Sequence, residues 1–129
     1  MTRKRVIDCG NCGPDHASIS RMLHSLFDVE IIQTDTGDET CKELRCGKAD
    51  LVLVNRKLDI DYSDGLSVIQ NIKSSPDIQA VPVMLVTNYD KHQREAVALG
   101  AVYGFGKLEL NSPHVHERLA AILGEPVQK

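Results

Sequence analysis

The sequence has no long hydrophobic run: nothing in it approaches the roughly eighteen consecutive apolar residues of a membrane span. The opening Met1-Thr2-Arg3-Lys4-Arg5 leads into only two apolar residues before Asp8, too few for the core of a secretory signal, so a cytoplasmic protein is expected. Cysteine is scarce, four in 129 residues, and nothing points to an oxidising compartment. Cys9, Cys12, Cys41 and Cys46 are therefore expected as free thiols and not as a disulfide scaffold. No charge of either sign dominates: 15 Lys and Arg stand against 18 Asp and Glu, a net charge of −3. That balance gives no sequence-independent attraction to nucleic acid or to an anionic membrane. Linkers, internal repeats and low-complexity stretches are missing too.

What is present is enough chain to bury a core without disulfides or a structural metal. One domain spanning residues 1–129 is expected, its core at about 4–123 and a loose tail at 124–129. Apolar runs and helix-period segments alternate throughout, the pattern of βα units around a parallel sheet. Val6 to Cys9 is the first short run, ended by the turn cluster Gly10-Asn11-Cys12-Gly13-Pro14. A helix from Pro14 carries Ile19, Met22, Leu23 and Leu26 on one stripe. Strands are predicted at Val29 to Ile32, Leu51 to Val54, Val81 to Val86 and near Tyr103 to Gly106. Helices are predicted around Glu39 to Arg45, from Ser63 or Asp64 to Ile72, from Lys91 to Leu99 and from Pro113 to Leu123. Leu51-Val52-Leu53-Val54, apolar on both faces, reads as a central parallel strand.

In a sheet of this kind the functional crevice lies outside the carboxyl ends of the strands. The residues there are Gly10 to Gly13, Asn55, Thr87-Asn88 and Lys107.

Taken in order, several stretches resemble the response-regulator receiver family from about Arg5 to Leu123. Ala49 to Asn55 is similar to its third strand, Asp64-Gly65-Leu66 to the start of its third helix, and Val81 to Thr87 to its fourth strand. Gly100-Ala101, with Lys107 seven residues after Gly100, matches its glycine-alanine turn and lysine. The resemblance implies a three-layer α/β sandwich, five parallel strands in the flavodoxin-like order 2-1-3-4-5 with five helices. It also implies a phospho-switch: two N-terminal acids and an acceptor aspartate hold magnesium, a threonine and a lysine contact the phosphoryl group, and an aromatic residue reports the change.

The residues here depart from that chemistry. Asn55 stands at the acceptor position, and an uncharged amide is not a nucleophile. The acidic-pocket positions fall at Gly10 and Asn11, or at Asp8 and Cys9 in a register two residues away, so at most one carboxylate faces the site. Weak or absent magnesium binding is expected, with no other metal or cofactor. Gly104 takes the place of the aromatic switch, and Leu108 that of the proline after the lysine. Phe105 is expected in the core. Thr87 and Lys107 are retained; they are read first as satisfying polar groups at the strand ends, with binding of an anion, or a Lys107 bond to the Asn55 amide oxygen, as the functional alternatives. The loop from Asn55 to Gly65, two residues longer than usual in the family, carries Asp59, Asp61 and Asp64, read as solvated acids.

The expected function is thus a receiver domain acting as a phosphorylation-independent protein-interaction module, and not an enzyme. Its partner, another signalling protein or a second copy, would use the face of the fourth helix, fifth strand and fifth helix, with Lys91, Gln93, Arg94, Tyr103, His116 and Arg118. Two alternatives stay open. Cys9-Gly10-Asn11-Cys12 is a Cys-x-x-Cys sequence before a helix, where thiol oxidoreductases place theirs. A relocated acceptor such as Asp8 or Asp59 is the other. Zinc held by the four cysteines is disfavoured because Cys41 and Cys46 fall on the second helix. His16, His24, His92, His114 and His116 are read as scattered surface positions.

Overall fold

The computed structural model describes residues 3–127. Elements alternate as β1 (Lys4–Cys9), α1 (Gly13–Leu26), β2 (Val29–Thr34), α2 (Gly37–Cys46), β3 (Leu51–Asn55), α3 (Gly65–Lys73), β4 (Val83–Val86), α4 (Asp90–Ala98), β5 (Val102–Phe105) and α5 (Pro113–Leu123). A 3-10 turn at Lys107–Glu109, not foreseen from the sequence, follows β5. The sheet is parallel with strand order β2-β1-β3-β4-β5, as the resemblance implies.

Period-two alternation divides the core between the two faces of the sheet. Val6, Leu51, Leu53, Met84, Val86 and Phe105 pack on one face against Ile19, Met22 and Leu23 of α1 and Val115, Leu119 and Leu123 of α5. Ile7, Cys9, Val52, Val54, Val83 and Leu85 pack on the other against Val68, Ile69 and Ile72 of α3 and Ala96 of α4, with Cys41 and Leu44 of α2 at its margin. Each fully buried aliphatic side chain contributes about 1.5–3 kcal/mol, so filling both faces of the central strands fixes their order and register.

Local signals set the ends. The Thr36 hydroxyl accepts from Glu39 N at the start of α2, and the Asp64 carboxylate accepts from Leu66 N at the start of α3. Pro82 stays just outside β4, its carbonyl accepting from Val52 N, so this strand is shorter than the apolar run predicts. The segment after α5 is tied down and not loose: Val127 N donates to Leu26 O at 2.7 Å. Residues 128 and 129 of the expected tail lie outside the described residues.

Candidate functional site

The crevice at the carboxyl ends of β1, β3, β4 and β5 brings together the residues singled out from the sequence, but pairs them differently. β1 ends at Cys9, and Gly10 follows with φ of 80°. A β-carbon at Gly10 would lie 2.3 Å from Leu58 Cδ2, so positive φ and the Leu58 plug together exclude any side chain at this pocket position. Asn11 is buried and folds back: its Nδ2 donates to Asp8 Oδ1 at 2.5 Å, leaving its Oδ1 buried without a partner. Asp8 shares the Val6 face, is 0% exposed, and receives His16 Nδ1 on its second oxygen at 2.6 Å. His16, expected as a scattered surface histidine, is therefore part of a buried polar cluster. Burial of a carboxylate demands such partners, and the first turn of α1 supplies one.

Asn55, at the end of β3, turns its amide Nδ2 onto Lys57 O at 2.6 Å. Lys107 does not reach for it. Its Nζ instead pairs with Asp15 Oδ2 at 2.7 Å, closing the crevice from the end of β5 to the first turn of α1. That ion pair holds the Asp15 carboxyl below its ordinary value, chiefly through the Lys107 hydrogen bond, with a smaller contribution from the Cys12 thiol. Thr87 is buried; its hydroxyl accepts from Tyr89 N at 3.3 Å and lies 3.5 Å from His92 Nδ1.

Magnesium fits this donor set poorly. The Asp8 carboxylate is sealed beneath Asn11 and His16, Asp15 is spent on Lys107, and residues 10 and 55 offer no carboxylate. The acids of the long loop do not replace them: Asp61 Oδ1 accepts from Ser63 N, Asp64 caps α3 and pairs with Arg56, and Asp59 is exposed. Among the described residues no three His, Cys, Asp or Glu converge on a metal-sized point.

The second half of the site is the seam between β4, β5 and α4. Here the ladder is irregular: Met84 pairs with Val102 but Val86 with Phe105, so β5 carries an extra residue. Gln93, expected on an exposed face, enters the gap and is only 2% exposed. Its Nε2 donates to Leu85 O at 2.9 Å and Thr87 O at 3.3 Å, and its Oε1 accepts from Gly104 N at 2.8 Å. Carbonyls on one side and an N–H on the other leave a single workable orientation for the amide. The same insertion explains Gly104, where a β-carbon would sit 2.2 Å from Leu85 O and 3.2 Å from Gln93 Oε1. Phe105 is buried in the core beside it, as expected.

On the outer side of this seam, Lys91 and Arg94 are exposed and Tyr103, His116 and Arg118 partly so. Tyr103 donates its hydroxyl to Asp90 at 2.6 Å, Arg94 pairs with the same carboxylate, and the Arg118 guanidinium lies 5.0 Å over the Tyr103 ring while donating to Gly104 O.

The cysteine alternatives find no support in the geometry. Cys9 lies in the α2–α3–α4 core with its Sγ 3.7 Å from Thr36 O, and burial pushes its thiol up. Cys12 stands at the N-cap of α1, whose buried stripe packs on the opposite face, and makes no side-chain cap hydrogen bond. All four cysteines are free. Asp8, the inner candidate for a relocated acceptor, has both oxygens occupied. A cavity of about 680 Å³ does open between Leu44, Cys46, Asp50, Ile78, Pro82 and Ile122. It lies at the amino-terminal ends of the strands, away from the crevice, and we attach no chemistry to it.

No protein-family model and no curated protein sequence matches the chain. Solved structures do. The signal receiver domain of the DNA-binding response regulator protein merR from Colwellia psychrerythraea 34H superposes with a TM-score of 0.79 at 22% identity, covering 95% of this chain and 99% of that one. The bacteriophytochrome response regulator AtBRR gives 0.72 at 20% identity over 100% and 98% of the two chains. Vibrio cholerae chemotaxis protein CheY4 gives 0.67 at 15% identity over 93% and 95%. At these identities the likeness is one of architecture, and the chain has the fold of CheY-like response-regulator receiver domains.

Proposed function

We propose that this chain is a single receiver-fold module of two-component or phosphorelay-type signalling, working in the cytoplasm, that lacks the phosphoacceptor aspartate and binds a protein partner without being phosphorylated. It performs no catalysis and holds magnesium weakly or not at all. The observation that carries the reading is Asn55: a neutral amide closes β3 where a nucleophilic carboxylate would be needed, and its N–H is already given to Lys57 O. The Lys107–Asp15 pair and the inserted Gln93 support it, because they occupy the groups that a phosphoryl oxygen or a moving aromatic would engage. The face of α4, β5 and α5 then serves as a fixed contact surface, with Tyr103 and Arg118 locked against Asp90 and Gly104.

Intact-mass spectrometry after incubation with magnesium and acetyl phosphate tests the reading, with Asn55→Asp run in parallel. We expect no phosphoryl adduct on the natural chain. A hydroxylamine-labile adduct would mean that another carboxylate accepts the group, and the phosphorylation-independent reading would be wrong.

A further inference from the structure

Exposed large apolar side chains are concentrated in this molecule. Of the six that are exposed among the described residues, the four most exposed, Ile60 at 60%, Tyr62 at 76%, Tyr89 at 68% and Leu108 at 88%, stand on the connections at the carboxyl edge of the sheet, and Val97 and Val102 lie elsewhere. Those connections follow β3, β4 and β5, which are neighbours in the sheet, and Leu108 N donates to Asn88 Oδ1 across two of them. A large solvent-facing aromatic or leucine is unremarkable singly, whereas several along one edge mark a contact surface.

The long loop is the most projecting part, and it is held in place. Asp59 N donates to Gly10 O, Leu58 N to Ser63 O and Tyr62 N to Leu58 O, while Leu58 is buried under the loop. Tyr62 adopts φ of 58°, unusual for a non-glycine residue, with its N–H bonded back to Leu58 O and its side chain in solvent. A loop ordered before binding loses little further conformational entropy when it docks.

Charge settles what it docks against. Thr34 O accepts from Gly10 N, and Gly10 O from Asp59 N, so the β2–α2 and β3–α3 loops flank the Gly10 turn along the same edge. Asp35, Asp59 and Asp61 on these loops and Asp38 and Glu39 in the first turn of α2 are exposed there, against Lys57 on the loops and Lys42 one turn further along α2 as exposed cations.

Resting on the reading of the chain as a binding module, we infer that the Asp59-Ile60-Asp61-Tyr62 tip is a docking element for a partner protein whose apolar surface is ringed by lysine and arginine. Ile60 and Tyr62 are the anchors; the carboxylates around them steer a basic partner and reject an acidic one. This surface is separate from the α4–β5–α5 face.

The test uses a fluorescent amphipathic helical peptide of leucine and lysine as the basic probe, and its leucine and glutamate counterpart as the control. Anisotropy should report binding of the lysine peptide alone, weakened by salt. The double variant Ile60→Ser/Tyr62→Ser should raise its Kd about tenfold, while Val97→Ser/Val102→Ser on the other face should leave it unchanged. Both pairs are exposed, so thermal melts should confirm intact folding of the variants. No binding of the lysine peptide, equal binding of both peptides, or a loss confined to the Val97/Val102 variant would overturn the inference. So would sedimentation showing that the chain self-associates and that Ile60→Ser/Tyr62→Ser makes it monomeric, since the tip would then be covered by a second copy. Each of those outcomes leaves the phosphorylation-independent reading standing, which only the adduct experiment can sink.

Discussion

On its α1 side the crevice is closed by polar and charged side chains, the His16–Asp8 contact below and the Lys107–Asp15 pair, which reaches across from the end of β5, above. Over β4 and β5 it is filled by one neutral amide, Gln93. Both arrangements satisfy polar groups at a sheet edge that would otherwise need water or a ligand. They differ in how they can be undone. An ionic contact responds to protons and salt, whereas an amide wedged between strands responds only to changes in shape or hydrogen bonding. Any residual responsiveness of this fold to its surroundings therefore belongs to the α1 side, and the Gln93 seam is its fixed part.

The harshest way to break that contrast is Gly104→Val. Its β-carbon would meet Leu85 O, a backbone atom with no freedom to retreat, and would displace the Gln93 amide as well. We expect a loss of about 4 kcal/mol or more in urea unfolding, because overpacking and lost hydrogen bonds act together. Tolerance of valine at this position would mean that the seam is soft after all. Gln93→Ala follows, at about 3 kcal/mol: it strips partners from Leu85 O, Thr87 O and Gly104 N without adding bulk. Hydrogen exchange at Gly104 should rise in this variant, and its stability deficit should be the same at pH 5 and pH 8. A deficit that varied with pH would show that the seam depends on ionisation elsewhere.

How far the sequence reveals these two halves follows from their physics. Leu51 to Val54 is legible because a strand buried on both faces must be apolar throughout. Asn55 and Gly104 are legible as departures from a resemblance. Gln93 was not, because glutamine within the polar stretch Asp90-Lys91-His92-Gln93-Arg94-Glu95 reads as a solvent face, and Ala96 is a weak apolar marker. The available signal was Gly104 itself: glycine inside a strand marks a close approach of another group. Asp15 and Lys107 are 92 residues apart, joined by no period or motif, and only the assembled fold brings them together. His16 and Asp8 are nearer in sequence, but their meeting depends on the turn that Gly10 makes at positive φ.

The lower contact, His16 with Asp8, offers a sharper comparison than simple removal. Asp8→Asn keeps the shape but withdraws the buried charge from His16 and presents the partner atoms with an amide; about 2 kcal/mol should be lost. His16→Gln should cost less, since that side chain is partly exposed. If the two residues act as one unit, the double variant should cost less than the sum of the singles in a denaturant double-mutant cycle. Strict additivity would mean that the 2.6 Å contact contributes nothing of its own, and the contrast between the halves would rest on Lys107–Asp15 alone.

The upper pair is expected to have the smallest effect and the most diagnostic one. Lys107 lowers the Asp15 carboxyl below its ordinary value of 3.8, so near and below that pH the unfolded chain binds protons that the folded chain does not. The pair's stabilisation is therefore fully present above about pH 4 and fades as acid brings the pH down through the lowered value. Both side chains are partly exposed, which limits the contribution at neutral pH to about 1 kcal/mol or less. Asp15→Asn should melt slightly below the natural chain at pH 7, and the gap should close as the pH falls from 4 towards 2. Asp61, Asp77 and Asp90 are also held low by their own partners, so both proteins keep an acid limb, and the difference between the two melting curves isolates Asp15. In the Gln93→Ala background the same gap should appear unchanged, because neither Lys107 nor Asp15 is hydrogen-bonded to Gln93. A gap that shrank in that background would show that the two halves are coupled and that the seam helps to hold Lys107 in place.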